Sequence, residues 1–147
     1  VLSLSDVYRQ LLQKRESDSI SLKEELEFLE SFLYLLQIRF GDALRVDFNV
    51  FEESKQFSIP AFSLQLLVEN CIKHNVVSMS NPLKIEIFQD SKEIITVRNN
   101  YNPKNSSETS LGTGLDNLSK RYELIGVDQG VIMKQNSEFY TVELKLF

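Results

Sequence analysis

The chain has 147 residues, 42% apolar and 25% charged, enough for one globular domain with a substantial core. Twenty-one acidic residues against sixteen basic leave a net charge of −5 without basic clusters, which argues against nucleic-acid binding. Cys71 and His74 are the sole cysteine and histidine, so a disulfide, a thiolate cluster, a transition-metal site or a nucleophilic triad has almost nothing to be built from. No run approaches the roughly 18 apolar residues of a membrane span, and no charged-then-apolar leader opens the chain. Because it begins with Val1 inside a plausible helix, the chain is expected to be a piece of a longer protein.

In chain order, Leu4, Val7, Tyr8, Leu11 and Leu12 recur at helical spacing and read as the tail of a helix whose partner is missing. Ser21 and Glu24 form a capping box, followed by Leu22, Leu26, Leu29, Leu33, Leu36 and Phe40 at intervals of three and four. The spacing predicts a long helix with a core-facing stripe, ending at Gly41. Leu44, Val46, Phe48 and Val50 then alternate with polar residues, predicting a strand with one buried face. Ser58-Ile59-Pro60 leads into the next helix, with Pro60 expected at its start.

That helix, over 64–75, is the centre of the sequence. Leu64, Leu67, Val68, Cys71 and Ile72 fall on one side at about 100° per residue, and Glu69, Asn70, Lys73 and His74 gather on the other. A carboxylate, a carboxamide and an ammonium within two turns suit a polyanion with its metal, since an amide oxygen ligates a hard cation and a lysine neutralises phosphate. A solvated polar stripe on an ordinary amphipathic helix has the same periodicity.

Two period-two runs, 83–89 and 93–99, predict a hairpin through Asp90-Ser91-Lys92. Residues 100–110 have no apolar period and read as a mobile, lid-length loop. Gly112-Thr113-Gly114 then opens a helix carrying Leu115, Leu118, Tyr122 and Ile125 and stopped by Gly126. Residues 131–134 and 139–147 flank Asn136-Ser137 as a second hairpin, with Tyr140, Val142, Leu144 and Leu146 on one face. This order predicts an α+β, two-layer sandwich: helices on one face of a mixed, mostly antiparallel sheet.

Glycines at a helix N-terminus let phosphate approach free backbone amides. The signal alone is weak: no Gly-Lys-Ser/Thr follows, and neither a third glycine nor a preceding strand makes a dinucleotide fingerprint. Combined with Glu69-Asn70-x-x-Lys73-His74, the hairpin, Asn99-Asn100 and the polar lid, Gly112-x-Gly114-Leu115-x-Asn117 resembles the ATP-binding domain shared by gyrase, the MutL mismatch protein, heat-shock chaperones and sensor histidine kinases. Ser21-Leu22-x-x-Glu25-Leu26, Arg39-Phe40, Ile59-Pro60, Gln65-x-Leu67-Val68-Glu69-Asn70 and Asn117-x-x-x-Arg121 narrow the resemblance to the LytS-type sensor histidine kinases, from about Ser5 to the end.

The resemblance implies a Bergerat-type fold over 19–147, with 1–18 the tail of a dimerisation and phosphoacceptor region. It implies ATP and Mg2+ as cofactors, with Asn70 on the magnesium, Lys73 on the phosphates, Glu69 as polarising base and His74 over the sugar or adenine edge. His74 reads equally well as a helix-surface histidine. Asn99 and Asn100 fall in the adenine box, and Gly112, Thr113, Gly114 and Leu115 would receive the phosphates as the lid closes. The implied partners are a second copy, through the upstream helical region, and a response regulator. The implied setting is the cytoplasmic side of a bacterial inner-membrane sensor.

Three departures bear on this. Asn99 stands where the family has the Asp of an Asp-x-Gly-x-Gly box, and a carboxamide lacks the stronger, charge-assisted acceptor. Leu66 stands where many histidine kinases place a first magnesium-binding Asn, and the His-Phe-Leu-Phe-Asn phosphoacceptor segment is absent. The fragment is therefore not expected to phosphorylate itself, and a degenerate dimerisation or signalling module is the alternative. A chaperone or mismatch-repair ATPase shares the fold but needs long additional domains.

Overall fold

A computed structural model describes residues 19–104 and 111–147. The predicted helix over 2–15 and residues 105–110 of the predicted lid lie outside those residues. A short strand, β1 (Ser19–Ser21), leads into α1 (Leu22–Phe40). Ser21 caps α1 by accepting from the Glu24 amide at 3.1 Å. Gly41 ends the helix at φ 56°, a conformation that favours glycine, and returns its N–H to the Gln37 carbonyl. After a 3-10 turn come β2 (Leu44–Asn49), a second 3-10 segment (Glu52–Gln56) and β3 (Ser58–Pro60).

The remaining elements are α2 (Ser63–His74), β4 (Leu83–Ser91), β5 (Ile94–Asn100), α3 (Leu111–Ile125), β6 (Val131–Gln135) and β7 (Phe139–Lys145). Five strands make one sheet in the order β2-β4-β5-β7-β6. Only β2 runs parallel to its neighbour within it. The predicted two-layer, mostly antiparallel architecture is therefore found, with both hairpins in place. One face of the sheet carries Ile85, Ile87, Ile95, Val97, Val142 and Leu144, buried against Leu22 and Leu29 of α1, Leu64, Leu67 and Val68 of α2, and Leu118 and Tyr122 of α3.

On the opposite face Arg98 holds Glu86 through Nη2 at 3.1 Å and lies over the Phe88 and Phe139 rings at 5.0 and 4.6 Å. α3 is fixed to the sheet by Tyr122, whose hydroxyl donates to the Lys145 carbonyl at 2.8 Å. At Gly130 an added Cβ would meet the Tyr122 ring at 2.2 Å, so this close approach requires glycine.

Several expectations are corrected. Pro60 does not start the central helix: it ends β3, which pairs antiparallel with β1 in a separate two-stranded sheet, and α2 begins at Ser63 after Phe62 turns the chain at φ 64°. Phe48 is 42% exposed and Ile125 38% exposed, because β2 is an edge strand and Ile125 ends its helix. Residues 101–104, predicted as the start of an unpaired lid, are tied to the end of α2. The Val76 amide donates to the Asn102 carbonyl at 2.9 Å, and the Lys104 amide to the His74 carbonyl at 3.2 Å. No helix among the described residues is long and apolar enough to cross a membrane.

Candidate nucleotide site

α2 buries Leu64, Leu67, Val68 and Cys71 and leaves Glu69, Asn70 and His74 half-buried and Lys73 exposed, as its periodicity predicts. α3 packs beside it so that Gly114 faces the polar stripe. A Cβ built on Gly114 would lie 3.6 Å from the Asn70 carboxamide and 3.5 Å from Leu66. Both distances are ordinary van der Waals contact, so Gly114 brings the α3 backbone close to the polar stripe of α2. Gly112 and Thr113 fall in the first turn of α3, and Leu115 is turned into the core at 9% exposure.

Asn99 lies on the buried face of β5, level with Ile85 and Tyr140 across the neighbouring strands, and is 1% exposed. Its Oδ1 accepts the Cys71 thiol at 3.3 Å and its Nδ2 donates to the Asn100 carbonyl at 2.8 Å. Burial pushes the Cys71 thiol up to about 12, so it stays a protonated donor. Asn100 faces elsewhere. Its carboxamide holds the start of β4, accepting from the Lys84 amide at 2.7 Å and donating to the Pro82 carbonyl at 3.0 Å. The structure thus brings Asn70, Gly114 and the polar stripe of α2 together, puts Asn99 beneath the helix and leaves Asn100 outside the group.

Sequence reasoning assigned no role to three residues that shape this site. Asn75 is buried at the end of α2, donating to the Cys71 carbonyl and accepting from the Asn102 amide, each at 2.9 Å. Glu25, fully buried on α1, accepts from the Phe62 amide at 2.7 Å and the Leu64 amide at 3.0 Å. Desolvation raises its carboxyl to about 7, against the opposing pull of the Phe62, Leu64 and Gln65 amides and the nearby Arg121 charge. Arg121, on α3, donates to the Ala61 carbonyl at 2.8 Å. The signal for Glu25 was present in its spacing: with Leu22 and Leu29 it falls on the apolar stripe, where a solvated charge does not belong.

Among the described residues, no cluster of three or more His, Cys, Asp or Glu could hold a metal. The Asn70 carboxamide with the neighbouring Glu69 carboxylate nonetheless supplies oxygen donors that fit magnesium, which keeps waters and takes substrate phosphate oxygens rather than a complete protein cage. Asn70 would be its protein ligand.

The histidine kinase family profile matches residues 1–44. The sensor protein LytS of Staphylococcus haemolyticus is 33% identical over 142 residues, 86% of this chain and 24% of that protein. The LytS of Enterococcus faecalis is 29% identical over 94% of this chain and 26% of its own length. The sensor histidine kinase BtsS of Escherichia coli is 28% identical over 94% of this chain and 25% of that protein. The chain thus spans about a quarter of the length of these relatives. Among solved structures, the catalytic domain of histidine kinase ThkA matches with a TM-score of 0.56 at 15% identity, over 87% of this chain and 96% of that one. The cytoplasmic segment of histidine kinase QseC matches with a TM-score of 0.57 at 13% identity, over 100% of this chain and 98% of that one. The chain belongs to the LytS-type sensor histidine kinases and has the fold of their catalytic domain.

Proposed function

We propose that this chain is the ATP-binding catalytic domain of a two-component sensor kinase. It would bind Mg-ATP between α2 and α3 and donate the γ-phosphoryl group to a histidine outside the chain. The observation that supports this reading is the closeness of Gly114 to Asn70, which sets glycine backbone near a helix start beside a hard-cation ligand. Magnesium, when bound, neutralises phosphate charge. The chain's own residues do the positioning on which phosphoryl transfer depends. Asn70 orients the metal, Lys73 meets the phosphates, and the α3 amides at Gly112, Thr113 and Gly114 receive the anion. Glu69, adjacent to the metal ligand, polarises the acceptor nitrogen, and His74 covers the sugar. In the full-length protein the partners are a second copy, engaged through the region that contains 1–18, and a response regulator. The setting is the cytoplasmic face of a bacterial inner membrane.

The test is titration with ATP or a non-hydrolysable analogue in the presence of magnesium. Wild-type binding below millimolar, lost in Asn70→Ala, is the expected result. Absence of binding, or an unaffected Asn70→Ala, ends the proposal.

One observation favours a second reading, a degenerate scaffold without kinase activity. Asn99 is 1% exposed and both ends of its carboxamide already have partners within the chain. Joining a phosphoacceptor segment to the chain and looking for phosphohistidine separates the two readings.

A further inference from the structure

The start of α2 has no cap of its own. Phe62 stands at the N-cap with no side-chain acceptor and a left-handed backbone, so the first-turn amides depend on another element. α1 supplies it. Glu25 accepts from Phe62 and Leu64, separated from them by 37 and 39 residues, and the Phe28 ring, one turn along α1, packs on the Phe62 ring at 5.6 Å. From the other side, Arg121 of α3 holds the Ala61 carbonyl.

The same two helices continue to the nucleotide site. Phe62 at the N-cap and Leu66 in the first turn of α2 face Arg121, Leu118, Asn117 and Gly114 of α3 across a cleft of about 210 Å3, and Asn70 follows Leu66 one turn along. Contact at one end of this seam is Arg121 on Ala61, and at the other Gly114 beside Asn70. Seven residues of helix separate the two ends on either side, about 10 Å, too short for the helix to absorb a shift of its first turn by bending.

We infer that Glu25 and Arg121 are positioning residues for the nucleotide site: they set where α2 begins and how it lies on α3, so that α1 controls the placement of Asn70 against Gly114. This inference rests on the nucleotide reading. It also gives a physical link within the family relationship, because the segment matched by the histidine kinase profile contains Glu25 and ends before α2.

The experiment compares Glu25→Ala, Glu25→Gln and Arg121→Gln with a control, Leu29→Ala, which opens a cavity under the same α1 without touching the seam. Magnesium-dependent binding of a fluorescent ATP analogue and hydrogen–deuterium exchange are measured on the whole chain, at a temperature where each variant is folded. Affinity should fall at least tenfold in Glu25→Ala and less in Glu25→Gln, which retains one acceptor. Arg121→Gln should lose severalfold, while Leu29→Ala keeps wild-type affinity despite a lower melting temperature. Exchange should rise in both α2 and α3 in the Glu25 and Arg121 variants and not in Leu29→Ala. Wild-type affinity in Glu25→Ala overturns the inference and leaves the nucleotide reading standing. If the wild type itself binds no nucleotide, that reading fails, and exchange alone then decides: unchanged protection across 111–125 in Glu25→Ala overturns the inference.

Discussion

The two ends of α2 are held by opposite chemistry. At its start, a buried carboxylate from α1 receives two backbone amides, with an arginine charge nearby. At its end, the work is done by neutral carboxamides: Asn75 bridges the Cys71 carbonyl and the Asn102 amide, and Asn99 takes the Cys71 thiol. A charged acceptor makes stronger hydrogen bonds but loses more when its partner is removed, and it titrates; a carboxamide does neither. The beginning of the central helix is therefore the sensitive end, and its finish the steady one.

The largest expected effect comes from emptying the charged end. Glu25→Leu leaves the Phe62 and Leu64 amides without acceptors and Arg121 without its nearby counter-charge. Leaving two buried amide donors without an acceptor should cost about 4 kcal/mol in urea unfolding. A cost under about 1 kcal/mol would mean that water or another side chain replaces the cap.

The next effect is the pH dependence that only this end should carry. Folding raises the Glu25 carboxyl from 4.5 to about 7, so the folded state holds a proton that the unfolded chain releases between those values. Its contribution to stability is full below 4.5 and is lost as pH rises through about 7. The range of the change is about 3 kcal/mol. Glu25→Gln removes the titrating group, so wild-type stability should fall relative to the variant's from pH 5 to pH 8. Parallel curves would assign the titration to other groups.

The same contrast explains what could be read from the chain beforehand. Apolar periodicity gave α1, α2, α3, both hairpins and the side of α2 that packs, because burial of a face repeats along an element. The neighbourhood of Gly114 and Asn70 was legible through the family resemblance, because the two segments lie far apart in the sequence and neither points to the other by itself. What escaped was not periodic. β1 and β3 have three residues each, too few to alternate, and Pro60 was read by its tolerance for helix starts although it closes a strand. Asn100 has the same side chain as Asn99, but the pleat turns it to the other face, where it ties down β4. Glu25 was legible as a family motif but not as a cap, since its amides lie 37 and 39 residues away.

At the neutral end a smaller change is expected. Asn75→Ala removes the hydrogen bond to the Cys71 carbonyl and the one from the Asn102 amide, at a cost of about 2 kcal/mol with no change between pH 5 and pH 8. A pH-dependent loss would show that the carboxamide end is coupled to the titrating start, and the distinction between the ends would then fail.

Between the two ends lies Asn70, where the smallest stability effect belongs. It is half-buried on the polar stripe beside Gly114, so Asn70→Ala removes a group that does not belong to the apolar core. Unfolding without nucleotide should change by no more than about 0.5 kcal/mol. With magnesium and nucleotide present, the wild type should gain stability by mass action and the variant should not. A large loss in the absence of ligand would instead make Asn70 a structural link between α2 and α3. The site would then have to take its metal elsewhere on the polar stripe.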